Sequence, residues 1–416
     1  MRALHVWNGH RGFGGSDKAL ASTILALRAH GVTVDEFSRD SKELGRGLRD
    51  KMRAFVGGLY AREAVLEFDR CLATGRYDVV HVHELYPLVS PWVLPRATAA
   101  GVPVVMSAYD FRLSCPVATH HGPQGACFRC VGGREHWCVI QNCRDNRAES
   151  LAYALRNASA RWFGLYENHV ARLALCSDYQ RRFFVDELGL RDDRQVTIGV
   201  VIAVPDEPVT DPAAGDYVAY AGRFVPEKGV ELMVQACRKL KLPMAFAGSA
   251  SEHPAVLPGD DARFVMTKSR AELDAFYRGA RMLVVPSIWA ETFGIVAAES
   301  LAHGVPVVAS RIGALPDTVL DDRTGLLAEP GNVDDLAAKI GRLWHDSELN
   351  RRLGRAGHEY VKAHWSASAH ARALSDIYSR VMAEGPGGLH RPLPPHLRDG
   401  AADAVQRPSS SSGNSA

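Results

Sequence analysis

A chain of 416 residues has room for two or three domains of ordinary size, each with its own core. Its 46% hydrophobic and 23% charged residues fit a globular protein, and a net charge of +2 gives no electrostatic reason for nucleic acid as a partner. No run approaches the roughly 20 apolar residues of a membrane-spanning helix.

The N-terminal run Met1-Arg2-Ala3-Leu4-His5-Val6-Trp7-Asn8-Gly9 is broken by polar residues too early for a signal peptide. The expectation is a cytoplasmic protein in a reducing compartment, where its eight cysteines are free thiols or metal ligands rather than disulfides. Residues 3–7 read as a strand running into a glycine loop. Ser16 is the expected N-cap of the first helix, with Leu20, Ile24 and Leu27 on one face and Gly31 at its end.

Within residues 42–60, Leu44, Leu48, Met52, Phe55 and Leu59 recur at helical spacing, flanked by Lys42, Arg46, Arg49, Lys51 and Arg53. An ordinary helix packed on the first domain accounts for that stripe. A basic amphipathic surface on the inner face of an anionic membrane, reaching a lipid-linked acceptor, is the alternative. Residues 78–83, 103–106 and 173–176 read as further strands. Strands separated by helices imply parallel, buried sheets.

Cys115, Cys127, Cys130, Cys138 and Cys143 crowd into one segment, with His120, His121 and His136 interspersed. Four soft ligands from such a segment can complete a structural tetrahedral zinc site. Free thiols are the alternative, because C-x₂-C followed by spacings of eight and five is not a standard finger. Cys71, Cys176 and Cys237 are scattered and read as core fillers.

Around residues 204–215 prolines and acidic residues interrupt the pattern, which restarts with a strand at 217–221. Residues 244–247, 282–285 and 305–309 continue it. The fold class is therefore α/β, with two doubly wound, Rossmann-like halves and a ligand cleft at the carboxyl ends of their strands. From Gly385 the chain turns to Gly, Pro, Arg and Ser, and residues 385–416 read as a disordered tail.

The second half carries the chemistry. Gly222-Arg223 and then Lys228-Gly229 follow directly on a strand, which suits a diphosphate: glycine lets backbone approach, arginine grips oxygens as a fork, and lysine adds a point charge. Next comes Ser287-Ile288-Trp289-Ala290-Glu291-Thr292-Phe293-Gly294, continuing to Glu299. Glu291 falls at the strand-to-helix turn and Glu299 within the helix that Gly294 opens. A carboxylate accepts from adjacent hydroxyls, as in a sugar or ribose, and the helix start offers free N–H groups to phosphate.

In order, G-R-x₄-K-G, E-x₇-E around Phe293-Gly294, G-V-P-V-V and T-G-L-L resemble glycosyltransferase family 4, whose members are retaining enzymes of the GT-B fold. The likeness covers most of residues 217–343. More loosely, Gly14-Gly15-Ser16-Asp17 stands where the family carries G-G-x-E, and Asp78-Val79-Val80-His81-Val82-His83 matches its D-V-V-H-x-H strand. The resemblance implies a GT-B pair of domains facing a central cleft. Residues 1–205 would be the acceptor side, with a cysteine-rich insertion at 115–143. Residues 206–363 would bind a nucleotide sugar, and a helix at 364–384 would cross back to the first domain.

It also implies that Arg223 and Lys228 hold the donor diphosphate, that Glu299 binds the ribose, and that Glu291, Phe293 and Gly294 contact the transferred sugar. Gly15 would belong to a loop closing on the donor, and base contacts would lie near Gly248 and Thr267-Lys268. The implied acceptor is a glycan, a lipid-linked or a small molecule. No metal is expected at the reaction centre, because the two cations carry the leaving-group charge and no D-x-D motif follows a strand.

Two departures stand out. Tyr109, before Asp110 and Ser114-Cys115-Pro116, replaces the histidine that the family credits with contacting the transferred sugar. Its hydroxyl can still donate and accept a hydrogen bond, so altered sugar choice or lost activity is the alternative to tolerance. The family's P-N-G segment is also absent, reading Ile198-Gly199-Val200-Val201-Ile202 here. The rival functions are a non-catalytic relative that binds nucleotide sugar and a nucleotide-sugar epimerase.

Overall fold

The computed structural model describes residues 1–9, 15–45, 47–122, 125–206, 209–248, 262–265 and 269–389. The strands in chain order are β1 Arg2–Gly9, β2 Thr33–Asp40, β3 Val79–Val82, β4 Val104–Ala108, β5 His121–Gly122, β6 Gly125–Ala126, β7 Arg172–Leu175 and β8 Gln195–Thr197. The second half adds β9 Tyr217–Ala221, β10 Met244–Ala247, β11 Ala262–Val265, β12 Ala280–Val285, β13 Val307–Ser310 and β14 Gly325–Ala328.

Strands β3, β4, β9, β10, β13 and β14 are buried along their whole length, as expected where helices cover both faces of a parallel sheet. The first sheet runs β2-β1-β3-β4-β7-β8 and the second β11-β10-β9-β12-β13-β14. Every pairing within these two sheets is parallel. The strand order reverses between β1 and β3 in one sheet and between β9 and β12 in the other. Those reversals open crevices at the carboxyl ends of the strands, where open α/β sheets take their ligands.

The first helix begins at Gly15, so Ser16 lies inside it and is not its cap. Leu20, Ile24 and Leu27 do share its buried face. Two crossings tie the halves together. Helix Ala367–Glu384 buries Ala371, Leu374, Ile377, Tyr378 and Val381 in one cluster with Ala3, Leu20 and Val79 of the first half. Just before it, the Trp365 carbonyl accepts from Ile202 N–H at 2.8 Å, so the returning chain is bonded to the outgoing one. Gly199 has φ +69, and a Cβ there would stand 2.4 Å from the Trp365 ring; glycine is what lets the strands of the hinge meet. The expected tail at 390–416 lies outside the described residues.

Candidate active site

The halves face each other across a cleft of about 2370 Å³. Ten of the residues singled out from the sequence line it: Tyr109 and Asp110 from the first half, and Gly222, Arg223, Lys228, Gly248, Glu291, Phe293, Gly294 and Glu299 from the second. Gly15 opens the first helix, but the loop before it and Thr267 lie outside the described residues.

On the donor side, β9 ends in Gly222, and β10 beside it ends in Gly248. A Cβ on Gly248 would stand 2.1 Å from the Gly222 carbonyl oxygen, so these two ends close on each other only because Gly248 carries no side chain. Tyr220 Oη donates to the Arg223 carbonyl at 2.6 Å and pins the turn. The Arg223 side chain is exposed and makes no hydrogen bond or ion pair among the described residues. Lys228 ends a short 3-10 turn, and Gly229 starts helix Val230–Leu240. The turn is docked on the loop after β12, because Ile288 N–H donates to the Glu227 carbonyl at 3.0 Å.

That docking brings Lys228 to Glu291. Lys228 Nζ donates to Glu291 Oε1 at 2.6 Å and lies 5.0 Å from the Trp289 ring centroid, while Ser287 Oγ donates to the same Glu291 oxygen at 2.8 Å. An ammonium has three N–H groups, so this pair leaves Lys228 donors for a ligand oxygen. Gly294, at φ +87, caps helix Ile295–Ala302, whose start therefore opens into the cleft beside Glu291.

Glu299 sits in that helix. Its Oε1 accepts from Arg270 at 2.6 Å and its Oε2 from Tyr277 Oη at 3.1 Å. Burial, and then the Glu299 charge, push the Tyr277 phenol well above its ordinary range, so it remains a donor. A carboxylate has about four acceptor positions, and two are taken here by protein. Arg270 and Tyr277 were not legible in the sequence. They belong to helix Arg270–Gly279, which carries no recognisable motif beyond its capping box of Ser269 and Glu272.

The first-half side is built differently. Asp110 is held by Arg112, with Nε to Oδ1 at 2.9 Å and Nη2 to Oδ2 at 2.5 Å; the same Nη2 lies 3.1 Å from Glu84 Oε1. Tyr109 Oη bonds to His83 Nδ1 at 3.1 Å, with its ring parallel to that imidazole. One hydrogen bond of that hydroxyl is thus made to the first half, while Tyr109 also lines the cleft. Burial raises the Tyr109 phenol, so it stays protonated.

From His83 the bonds continue inward. His83 Nε2 meets His5 Nδ1 at 3.0 Å, and His5 Nε2 meets Tyr378 Oη at 3.1 Å. Tyr378 Oη meets His81 Nδ1 at 2.5 Å, and His81 Nε2 meets Ser107 Oγ at 2.9 Å. Burial lowers His5 to about 3 and holds His81 and His83 well below the ordinary imidazole range, so all three are neutral. The D-V-V-H-x-H spacing could have signalled this, because an i, i+2 step along extended chain puts His81 of β3 and His83 just past it on one side, and His5 on β1 is in register with His81.

His5, His81 and His83 are the single set among the described residues whose three or more ligand atoms lie within 4.8 Å of one another. The five clustered cysteines are not such a set. All are free thiols, with Cys115, Cys130 and Cys138 buried. Cys130 lies close enough to feel the charge of the other four, yet no three of these sulfurs fall within 4.8 Å of one another, where zinc–thiolate bonds are roughly 2.3 Å long. Burial pushes the Cys138 thiol up to about 12. The segment instead contributes a wall to the cleft, through Pro116, Val117, Ala118 and Thr119.

The stripe expected at residues 42–60 is not buried as a unit. Leu44 is buried before helix Leu48–Leu59, Phe55 and Leu59 are half-buried, and Met52 is 52% exposed. Gly57 and Gly58 provide the buried side of that helix, while Lys51, Ala54 and Phe55 line the cleft. Among the described residues no helix is long and apolar enough to cross a membrane.

Two family profiles match this architecture: the glycosyl transferase 4-like domain over residues 14–200, and the glycosyl transferases group 1 over residues 210–360. The chain belongs to the group 1 glycosyl transferases. This glycosyltransferase is 28% identical to a D-inositol 3-phosphate glycosyltransferase of Mycobacteroides abscessus, over 89% of this chain and 85% of that one. It is 26% identical to a protein of the same name from Saccharomonospora viridis, over 90% and 91%.

Among solved structures, sucrose-phosphate synthase from Thermosynechococcus elongatus superposes with a TM-score of 0.66 at 21% identity, covering 92% of this chain and 99% of that one. Anabaena Alr3699/HepE in complex with UDP-glucose gives 0.57 at 15% identity, covering 91% and 100%. The glycosyltransferase has the GT-B fold.

Proposed function

We propose that this glycosyltransferase moves a sugar, with retention at the anomeric carbon, from a nucleotide-diphosphate sugar to a glycan, lipid-linked or small-molecule acceptor. Residues 206–363 bind the donor and residues 1–205 receive the acceptor. The observation that carries this reading is the convergence, at one strand-order reversal, of Arg223, unpaired among the described residues, Lys228 with its Glu291 partner, and the start of helix Ile295–Ala302.

Arg223 and Lys228 grip the diphosphate. As the anomeric carbon–oxygen bond breaks, its electron pair stays on the diphosphate, and the two cations and the helix N–H groups stabilise that charge. The acceptor hydroxyl oxygen bonds to the anomeric carbon from the face the diphosphate leaves, and its proton passes to the departing phosphate oxygen. Glu291 takes a sugar hydroxyl while holding Lys228 in position. Glu299, oriented by Arg270 and Tyr277, accepts from the ribose hydroxyls.

The test is a panel of nucleotide sugars offered with and without acceptors, with the product anomer read by NMR. One donor should be consumed and its anomeric configuration kept. Consumption of none rejects the donor class, and an inverted product rejects retention.

A further inference from the structure

The first-half wall of the cleft carries charge that the donor chemistry does not use. Lys51, Arg144 and Arg156 all line it. Arg144 directly follows the last clustered cysteine, and Arg156 lies in helix Arg147–Trp162. Among the described residues one carboxylate is ion-paired with the three, Glu149, at 3.5 Å from Lys51 Nζ and 3.9 Å from Arg144 Nη2. Both separations exceed a charge-assisted hydrogen bond of about 2.7–2.9 Å, so Glu149 is a loose counter-ion that a better-fitting anion can displace.

Arg156 has no carboxylate partner among the described residues. Its guanidinium lies 4.0 Å from the Tyr86 ring centroid and 4.3 Å from that of Tyr153, and Nη2 donates to the Pro116 carbonyl at 2.9 Å. Arg144 lies 4.8 Å from the same Tyr153 ring. One tyrosine thus holds two guanidinium groups near each other, where like charges otherwise separate. Asp50, also on the cleft, is turned against the backbone of Gly45. The contrast with Arg112, neutralised by Asp110 and Glu84 in the same cleft, is direct.

We propose that this corner seats a phosphate group on the acceptor, gripped by Arg144 and Arg156 with Lys51 as the third cation. Forked guanidinium donors match tetrahedral oxyanions, and tyrosine faces keep the forks oriented. The proposal rests on reading the cleft as the transfer site. It also gives the cysteine-rich segment a task, since that segment supplies Arg144 and, at Pro116, the carbonyl that steadies Arg156.

The test uses the full chain without donor, so it is read apart from turnover. Glycerol 3-phosphate is titrated by calorimetry, and vesicles containing phosphatidylglycerol are tested by co-sedimentation. Binding of the soluble monoester identifies a free phosphate acceptor, and binding of vesicles alone identifies a lipid headgroup. In either case Arg144→Gln and Arg156→Gln should each weaken binding about tenfold or more. Arg144 is 42% exposed and keeps the test valid if Arg156→Gln fails to fold. Binding that survives both substitutions, or is lost in Arg223→Ala instead, overturns the proposal, as does failure of both probes to bind.

Discussion

The ends of β9 and β4 face each other across one cleft and treat charge in opposite ways. After β9, Arg223 is left open and Lys228 keeps donors to spare. After β4, Arg112 is ion-paired with Asp110 and with Glu84 from just past β3, and the histidines behind them are held uncharged. A half that must receive new negative charge keeps cations free for it. The end of β4, which fixes geometry, satisfies its buried polar groups internally, because a buried charge left alone is costly.

The largest effect that would break this contrast is at Lys228. Lys228→Met removes a diphosphate cation and leaves half-buried Glu291 with Ser287 alone, so turnover should fall about 100-fold and stability by about 1–3 kcal/mol. Steady-state kinetics and urea unfolding read the two losses. Arg223→Ala should slow turnover by about 10- to 100-fold, one charge-assisted contact, with the melting temperature unchanged because the side chain touches little. Near-normal transfer would remove Arg223 from the donor site.

Acid should sharpen the contrast. His5, His81, His83 and His370 are all depressed by burial, to about 3 for His5 and about 4 for His370. Below about pH 6.5 the unfolded chain binds protons that these folded sites refuse. Their share of stability is therefore complete above pH 6.5 and lost as pH falls toward the folded values. By pH 5 each imidazole still neutral in the folded state should cost about 2 kcal/mol. A urea midpoint equal at pH 7 and pH 5 would contradict the neutral cluster. The smallest effect is at Tyr109, whose hydroxyl is turned to His83 and not to the donor cations. Tyr109→Phe should cost less than tenfold in turnover and about 1 kcal/mol in stability, whereas a loss as deep as that of Lys228→Met would give the hydroxyl a direct part in transfer.

The same contrast governs what could be read in advance. The donor site is local: a strand, two glycines, two cations and a helix start follow one another in sequence, and backbone geometry dictates that order. Buried strands such as β9 and β10 announced themselves as unbroken apolar runs. Edge strand β2, Thr33-Val34-Asp35-Glu36-Phe37-Ser38-Arg39-Asp40, buries only Val34 and Phe37, carries charge on both faces and gave no such run. Arg270 on Glu299, Arg112 on Glu84 and Tyr378 on His5 arise from folding alone, across 29, 28 and 373 positions. The cysteines illustrate the converse, since spacing reveals a collection of thiols but not whether their sulfurs converge.

Tyr378 has a consequence that reaches the cleft. Ser107, His81, Tyr378, His5, His83 and Tyr109 form a line of six neutral groups joined by five hydrogen bonds. Each group owns one mobile proton, so one proton is left over. A neutral imidazole donates on one side and accepts on the other, and must pass the direction of bonding along unchanged. Only a hydroxyl can reverse it, and Tyr378, fully buried, would then hold an idle O–H. Two orderings remain, with the spare proton at Tyr109 or at Ser107. The tautomer of every histidine in the line, and whether Tyr109 donates to His83 or accepts from it, are therefore chosen together, with the final helix of the chain casting one of the votes.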